Sequence, residues 1–411
     1  MMRFSQVAVW LVFLFVATAS QADEISQPGK ANVPPTVSNS SSGTQSVNTG
    51  RAREAVDEIL QRVRDHSFQP IKNGFTFDAR LQKQGIADLN NTDWRVRLLA
   101  LRDLVRLGAP AVDTLVAHLQ DKNEHARQIC VTALGLLKAV ASAGAIQNVL
   151  RNDTDTVVRS QAAISLGELC DQEALALLKD RSKADSSRDV RHQCEVAAYR
   201  IEQKAAQPND VANAFAALIE SSYRQLEVGK PAIDFELFDT NGRKWHLADN
   251  KGKTVVLIWI FADWCPVCHG EFHELIELRE QFTRQNVELV TIECHDLFRA
   301  RVMVGDELSP QYWFSKRSPQ ASYRDNIWWR HLSDPAGAVG AKYGIDPMAF
   351  VVHSEWINRP STIIIDPAGI VRFAYYGTYW GDRPSISQTL DMISAGRYEF
   401  RHPKRLEVLK E

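Results

Sequence analysis

Apolar and polar positions change their spacing several times along the 411-residue chain. Near the start, VAVWLVFLFVA is continuously apolar, follows the basic MMRF and precedes Ser20-Gln21-Ala22. This pattern predicts a signal peptide over residues 1–22, with an apolar run too short to span a bilayer comfortably. No cysteine stands near the cleavage point, so a lipid-anchored form is not expected. Residues 23–50 hold almost no large apolar side chain and predict a flexible linker, because such a composition cannot bury a core.

From residue 51 the spacing becomes helical, beginning with REAVDEILQRV. Four segments then repeat: TDWRVRLLALRDLVRLG, NEHARQICVTALGLL, TDTVVRSQAAISLGEL and SRDVRHQCEVAAYRI. Their arginines align at Arg97, Arg127, Arg159 and Arg191, at intervals of 30, 32 and 32 residues. A shorter helical run follows each, and NDVANAFAALIESSYRQL reads as one long closing helix. Two helices per unit of about 30 residues predict an α-solenoid over residues 51–226. Three residues beyond each aligned arginine stand Ala100, Cys130, Ala162 and Cys194, so those two cysteines read as small buried packing residues.

Beyond Val228 the period shortens to two. FELFDTNGRKWHL predicts a hairpin about Asn241-Gly242, TVVLIWIFA a buried strand, and VELVTIE, STIIID and GIVRFAYYG further strands. CHGEFHELIELREQF and SISQTLDMI are helical. The expected fold is multi-domain: an all-α solenoid, then an α/β domain over residues 227–400 with a mixed sheet between helices, and a tail at 401–411.

Charge narrows the function little, with 48 basic against 50 acidic residues giving no sign of nucleic-acid binding. Six cysteines are too few for a disulfide framework in this length. Two of them form the pair Cys265 and Cys268 in IWIFADWCPVCHGEF, where a strand run meets a helix. A helix N-terminus stabilises a thiolate, so Cys265 is expected to be the exposed nucleophile and Cys268 the resolving thiol. Trp264 and Pro266 restrict the turn and flank the substrate. The redox-active element is then the Cys265–Cys268 disulfide itself, with no cofactor and no metal site assigned. Glu271, one turn on, is placed to exchange the resolving thiol's proton.

Two family resemblances follow from these motifs. The helical units resemble HEAT repeats in the short form with Val-Arg at the head of the first helix, over roughly residues 85–205. The span from Val228 to Ile393 resembles the thioredoxin-fold redoxins, which join thioredoxin-like reductants to AhpC/TSA peroxiredoxins. GKTVVLIWIFADWCPVC, SDPAGAVGAKYGI and RPSTIIIDPAGIVRFAYYG carry this second likeness. It implies a thioredoxin fold and a cis-proline at Pro360 facing the cysteine pair, with Arg359 beside it in substrate binding. Trp259 stands where cytosolic thioredoxins carry a buried aspartate. Against the peroxiredoxin pattern Pro-x-x-x-Thr-x-x-Cys, Phe261 and Cys265 occupy the proline and threonine places, and Pro360 the place of the activating arginine.

The expected function is therefore an exported, periplasmic or secreted thiol-disulfide oxidoreductase. Its substrate is a protein disulfide, its electron donor or acceptor is unnamed, and the solenoid serves as a scaffold for a protein partner. No membrane span is expected after signal cleavage. Three alternatives stay open: a peroxiredoxin-like peroxidase; a copper or zinc carrier using Cys265, Cys268, His269, Cys294, His295 and His353; and a HEAT-based binding protein with a non-catalytic redoxin module. Residues 296–330, with Trp313, Trp328 and Trp329, read as an insertion held by its own small core.

Overall fold

The computed structural model describes residues 48–65, 94–205, 209–307, 319–348, 350–377 and 381–400. The expected signal peptide, nearly all of the expected linker, the C-terminal tail and Trp313 lie outside them. Among the described residues, no helix is long and apolar enough to cross a membrane.

The helical half runs α1 (Asn48–Asp65), α2 (Trp94–Leu107), α3 (Val112–Ala117), α4 (Glu124–Leu136), α5 (Ala143–Asn152), α6 (Thr156–Leu169), α7 (Leu175–Ala184), α8 (Arg188–Glu202) and α9 (Asn209–Ala217). The first helix of successive repeats starts on a side chain suited to the task. Asn123, Asp155 and Ser187 cap α4, α6 and α8 by accepting backbone N–H groups that helix geometry leaves unpaired. The repeated arginines tie each unit to its neighbours. Arg127 spans Asp153 (2.8 Å) and the Asp121 carbonyl (2.8 Å), and Arg159 spans Asp185 (3.0 Å) and the Asp153 carbonyl (3.0 Å). Arg191 keeps the carbonyl bond, to Asp185 (2.6 Å). Arg97 instead reaches the Met348 carbonyl of the α/β half (2.6 Å). Ala100, Cys130, Ala162 and Cys194 are all buried. Cys170 caps α6 in the left-handed conformation and is a free thiol, unbridged to Cys194.

The closing helix is shorter than its sequence suggests. It stops at Ala217, and Ile219 is extended before a single 3-10 turn over Glu220–Ser222. Two serines and a β-branched isoleucine weaken the helix there. The carbonyls of Ala341 and Lys342 take up the N–H groups of Arg224 and Gln225.

The other half contains β1 (Glu236–Asp239), β2 (Lys244–His246), β3 (Thr254–Trp259), β4 (Val287–Glu293), β5 (Arg330–Ser333), β6 (Phe350–Val352), β7 (Glu355–Ile357), β8 (Ser361–Ile365) and β9 (Val371–Tyr376). Helices α10 (Pro266–Glu277), α11 (Arg279–Arg284), α12 (Leu297–Val304), α13 (Ala338–Lys342) and α14 (Ile386–Ala395) complete it. Seven strands form one sheet in the order β2-β1-β5-β4-β3-β8-β9, with β3 parallel to β4 and antiparallel to β8. This is the helical region plus mixed thioredoxin-like sheet that the sequence predicts.

Central β3 is buried on both faces, as its unbroken apolar run requires. Val256, Ile258 and Ile260 meet Phe272 of α10 in a core continuous with the solenoid, while Val255, Leu257 and Trp259 pack with Tyr343 and Ile363 on the other face. The insertion has the small core expected of it: Trp329 and Tyr323 lie edge-on to Phe272, with centroids 5.0 and 5.4 Å away, and Trp328 packs on Phe282.

Candidate active site

β3 ends at Trp259, and the chain turns through Phe261–Trp264 into α10. Cys265 is the N-cap of that helix and Pro266 its first residue, where a missing N–H costs nothing. Cys268 follows on the first turn. Both cysteines are free, and both are fully buried, so Cys265 is not the exposed thiol expected from its place at the helix start.

Donors gather on Cys268. Arg383 donates to its Sγ from Nη2 at 3.2 Å, and the Phe261 backbone N–H donates at 3.3 Å. Burial pushes this thiol up, but the hydrogen bond from Cys265 and the Arg383 charge together outweigh it, leaving Cys268 lowered to about 5. Burial and the thiolate next to it hold Cys265 well above its ordinary value. Stabilising donors thus converge on the second sulfur rather than on the first, which is left to donate.

Arg383 lies 115 positions after Cys268 and carries no motif of its own. It is placed by contacts at both ends. Glu274 of α10 accepts the N–H groups of Ile386 (3.1 Å) and Ser387 (2.9 Å), fixing the start of α14. Gly377 lets β9 turn close over the Pro360 ring and the Asp382 carbonyl, where any Cβ would collide. Glu271 completes the group, 2.8 Å from Arg383. Its carboxyl is pushed up to about 7 by burial, against the pull of Arg383. The proximity of Glu271 to Cys268 was legible in the sequence; the arginine between them was not.

Three expectations are corrected. No cis peptide occurs among the described residues, so Pro360 follows a trans bond. It leads into β8, and its carbonyl accepts the Gly377 N–H at 2.8 Å, extending the β8–β9 ladder. Arg359 is no surface for substrate: it is fully buried and bonds Asp346 (3.4 Å), which also pairs with Arg224 (2.9 Å). Trp264 is buried too, its ring edge-on to Phe261 and its indole N–H donated to Glu355. Pro266 alone of the three residues expected to bind substrate is exposed.

Glu355 is the hub of a buried ionic cluster behind the cysteine turn. Arg299 of α12 bonds Asp263 (3.1 Å) and Glu355 (3.1 Å), and Gln193 of the solenoid donates to Glu355 (3.0 Å). Burial pushes the Glu355 carboxyl up, but Arg299 overrides it and holds the group down at about 2. The residues considered for a metal are drawn apart by other bonds: His269 to Tyr323 (2.7 Å) and His353 to Asp189 (3.2 Å). Among the described residues no group of three His, Cys, Asp or Glu side chains is placed to hold a metal ion.

The AhpC/TSA family model matches residues 228–374, and the HEAT-repeat model matches 86–160 and 141–198. The chain joins HEAT repeats to an AhpC/TSA redoxin domain. The redoxin is 29% identical over 174 residues to the selenocysteine-containing peroxiredoxin PrxU of Peptoclostridium acidaminophilum, covering 41% of this chain and 77% of that one. It is 39% identical over 67 residues to the thiol-disulfide oxidoreductase ResA of Bacillus subtilis, covering 16% of this chain and 37% of that protein. Reduced 2-Cys peroxiredoxin of Plasmodium vivax is a structural relative at 21% identity and TM-score 0.33, covering 41% of this chain and 81% of that one. The redoxin is therefore a thiol-based oxidoreductase domain of the AhpC/TSA type.

Proposed function

We propose that the redoxin domain is a thiol peroxidase in which Cys268 attacks the peroxide and Cys265 resolves the product. The observation that carries this is the convergence of two donors, Arg383 and the Phe261 N–H, on the Cys268 sulfur. A cation beside the sulfur serves twice, lowering the thiol and stabilising charge that develops on the leaving oxygen. Full burial of both sulfurs also suits a small oxidant better than a protein disulfide.

In the first step the Cys268 thiolate takes one peroxide oxygen and the O–O bond breaks. Sulfur is oxidised to sulfenic acid, and the other oxygen leaves as hydroxide or alkoxide. Glu271, on the far side of Arg383, is a nearby source of the proton that this oxygen takes up. Cys265 sulfur then attacks the sulfenic sulfur, a disulfide forms and water leaves. An external dithiol must return two electrons to the Cys265–Cys268 disulfide. Export by residues 1–22 would place this chemistry in an oxidising compartment, which cell fractionation of the native protein checks.

Peroxide consumption by the reduced protein tests the proposal. Cys268→Ser should abolish it, whereas Cys265→Ser should allow one turnover and accumulate a sulfenic acid that a carbon-nucleophile probe labels. The ResA likeness makes dithiol exchange the second reading. That reading gains if Cys268→Ser traps a protein mixed disulfide on Cys265 while peroxide is left untouched.

A further inference from the structure

A cavity of about 140 Å³ lies at the junction of the solenoid and the redoxin domain, and neither Cys265 nor Cys268 lines it. Its walls are apolar, from Ile164, Val196 and Phe215 on the solenoid side and Met348 and Trp356 on the other. Five charged side chains face it: Glu168, Arg200, Asp296, Arg299 and Glu355. Four of these are already matched. Arg200 pairs with Asp296 and donates to the Ala205 carbonyl (2.6 Å), and Arg299 spans Glu355 and Asp263.

Glu168 is different. Among the described residues its carboxylate has no hydrogen-bond or ion-pair partner, and burial pushes it up to about 7. His295, also lining the cavity, keeps both ring nitrogens buried without a partner. Buried polar groups such as the His295 ring nitrogens are normally satisfied. With Glu168 ionised the lining sets three carboxylates against two guanidinium groups, one negative charge in excess, and a cation seated there would favour that form over the protonated one. The missing counterpart is therefore cationic, carries N–H donors and has an apolar body. A single ring fits a volume of this order, since an apolar cavity of about 150 Å³ accommodates benzene.

We infer that this junction binds a small primary amine with an apolar body of about one ring, its ammonium donating to Glu168 and to a ring nitrogen of His295. The site is separate from the thiol chemistry, so its test does not depend on peroxidase activity. Titration calorimetry on the reduced full chain would use benzylamine, with benzyl alcohol and benzoate as neutral and anionic counterparts of the same ring. Benzylamine should bind one-to-one, with the alcohol and the acid each at least tenfold weaker. Glu168→Gln, close in shape, should weaken the amine at least tenfold. Ile164→Trp should block it by filling the cavity while leaving the carboxylate in place, with near-ultraviolet circular dichroism confirming that both variants are folded. No heat from benzylamine up to about 10 mM would overturn the inference, because water would then suffice for these groups. Equal binding of benzoate, or unchanged binding in folded Glu168→Gln, would overturn it too.

Discussion

Replacing Arg383 by methionine tests the electrostatics of the thiol site most directly. The side chain is buried, touches Cys268 at 3.2 Å and pairs with Glu271 at 2.8 Å. A charge-assisted hydrogen bond contributes about 1.5–3 kcal/mol, or roughly one to two pK units. The Coulomb attraction at the observed 3.2 Å sets the upper end, roughly 5 kcal/mol at an effective dielectric of about 20. Cys268 should therefore rise from about 5 to at least about 6, and to about 7 if the bond contributes the upper end of that range. At about pH 6 the thiolate fraction then falls from about nine-tenths to between about a half and a tenth, and the thiol reacts about two- to tenfold more slowly. The assay is the pH profile of alkylation by iodoacetamide, read at Cys268 by mass spectrometry in a Cys265→Ser background, with and without the Arg383→Met substitution. Glu271→Gln should accompany the change in a second variant, so that no carboxyl is left buried without its partner. Arg383→Lys should recover part of the shift, because the charge returns without the guanidinium fork. An inflection that stays near its original position in Arg383→Met would refute the reasoning, since the backbone N–H of Phe261 and the helix N-terminus would then suffice.

Three further outcomes follow from packing and charge. The Glu355 carboxyl is held down at about 2 by Arg299 against burial, so its stabilisation is full above the ordinary glutamate value and is lost as pH falls towards 2; Glu355→Gln should flatten acid unfolding between about pH 4.5 and 2, followed by tryptophan fluorescence. Gly167→Ala should destabilise the solenoid by about 1–2 kcal/mol in urea titrations, because a Cβ there would meet Ala197 Cα at 2.9 Å and overpacking outweighs the roughly 1 kcal/mol gained in helix propensity. Arg159→Ala should cost about 3 kcal/mol on the same measurement, leaving Asp185 and the Asp153 carbonyl without their guanidinium partner inside the repeat stack; an unchanged midpoint would show that the arginine ladder is solvated decoration.

Legibility in the sequence followed the range of the interaction. The solenoid register was readable at Arg127, Arg159 and Arg191 because each arginine bonds a carbonyl only six residues earlier and an identical geometry recurs. The β1–β2 hairpin was readable because Asn241-Gly242 supplies the positive φ its turn needs, +72° at Gly242. The β6–β7 hairpin was missed for the converse reason. Its turn places His353 and Ser354 at positive φ, 50° and 62°, and neither residue advertises that conformation. That hairpin delivers Glu355 to the cysteine turn, so missing it concealed the whole Arg299 cluster.

What the sequence determined by itself is the set of local choices: two domains with different periods, a repeat with its own bonding register, and a cysteine pair at the mouth of a helix. These depend on neighbours along the chain, where spacing is visible. Which sulfur the donors converge on was decided only by tertiary structure. Helix position alone favours Cys265, the N-cap, but a charged donor in a buried site outweighs a terminal dipole. That donor, Arg383, reaches Cys268 from 115 residues away because Glu274 pins the start of α14 and Gly377 leaves room for the turn.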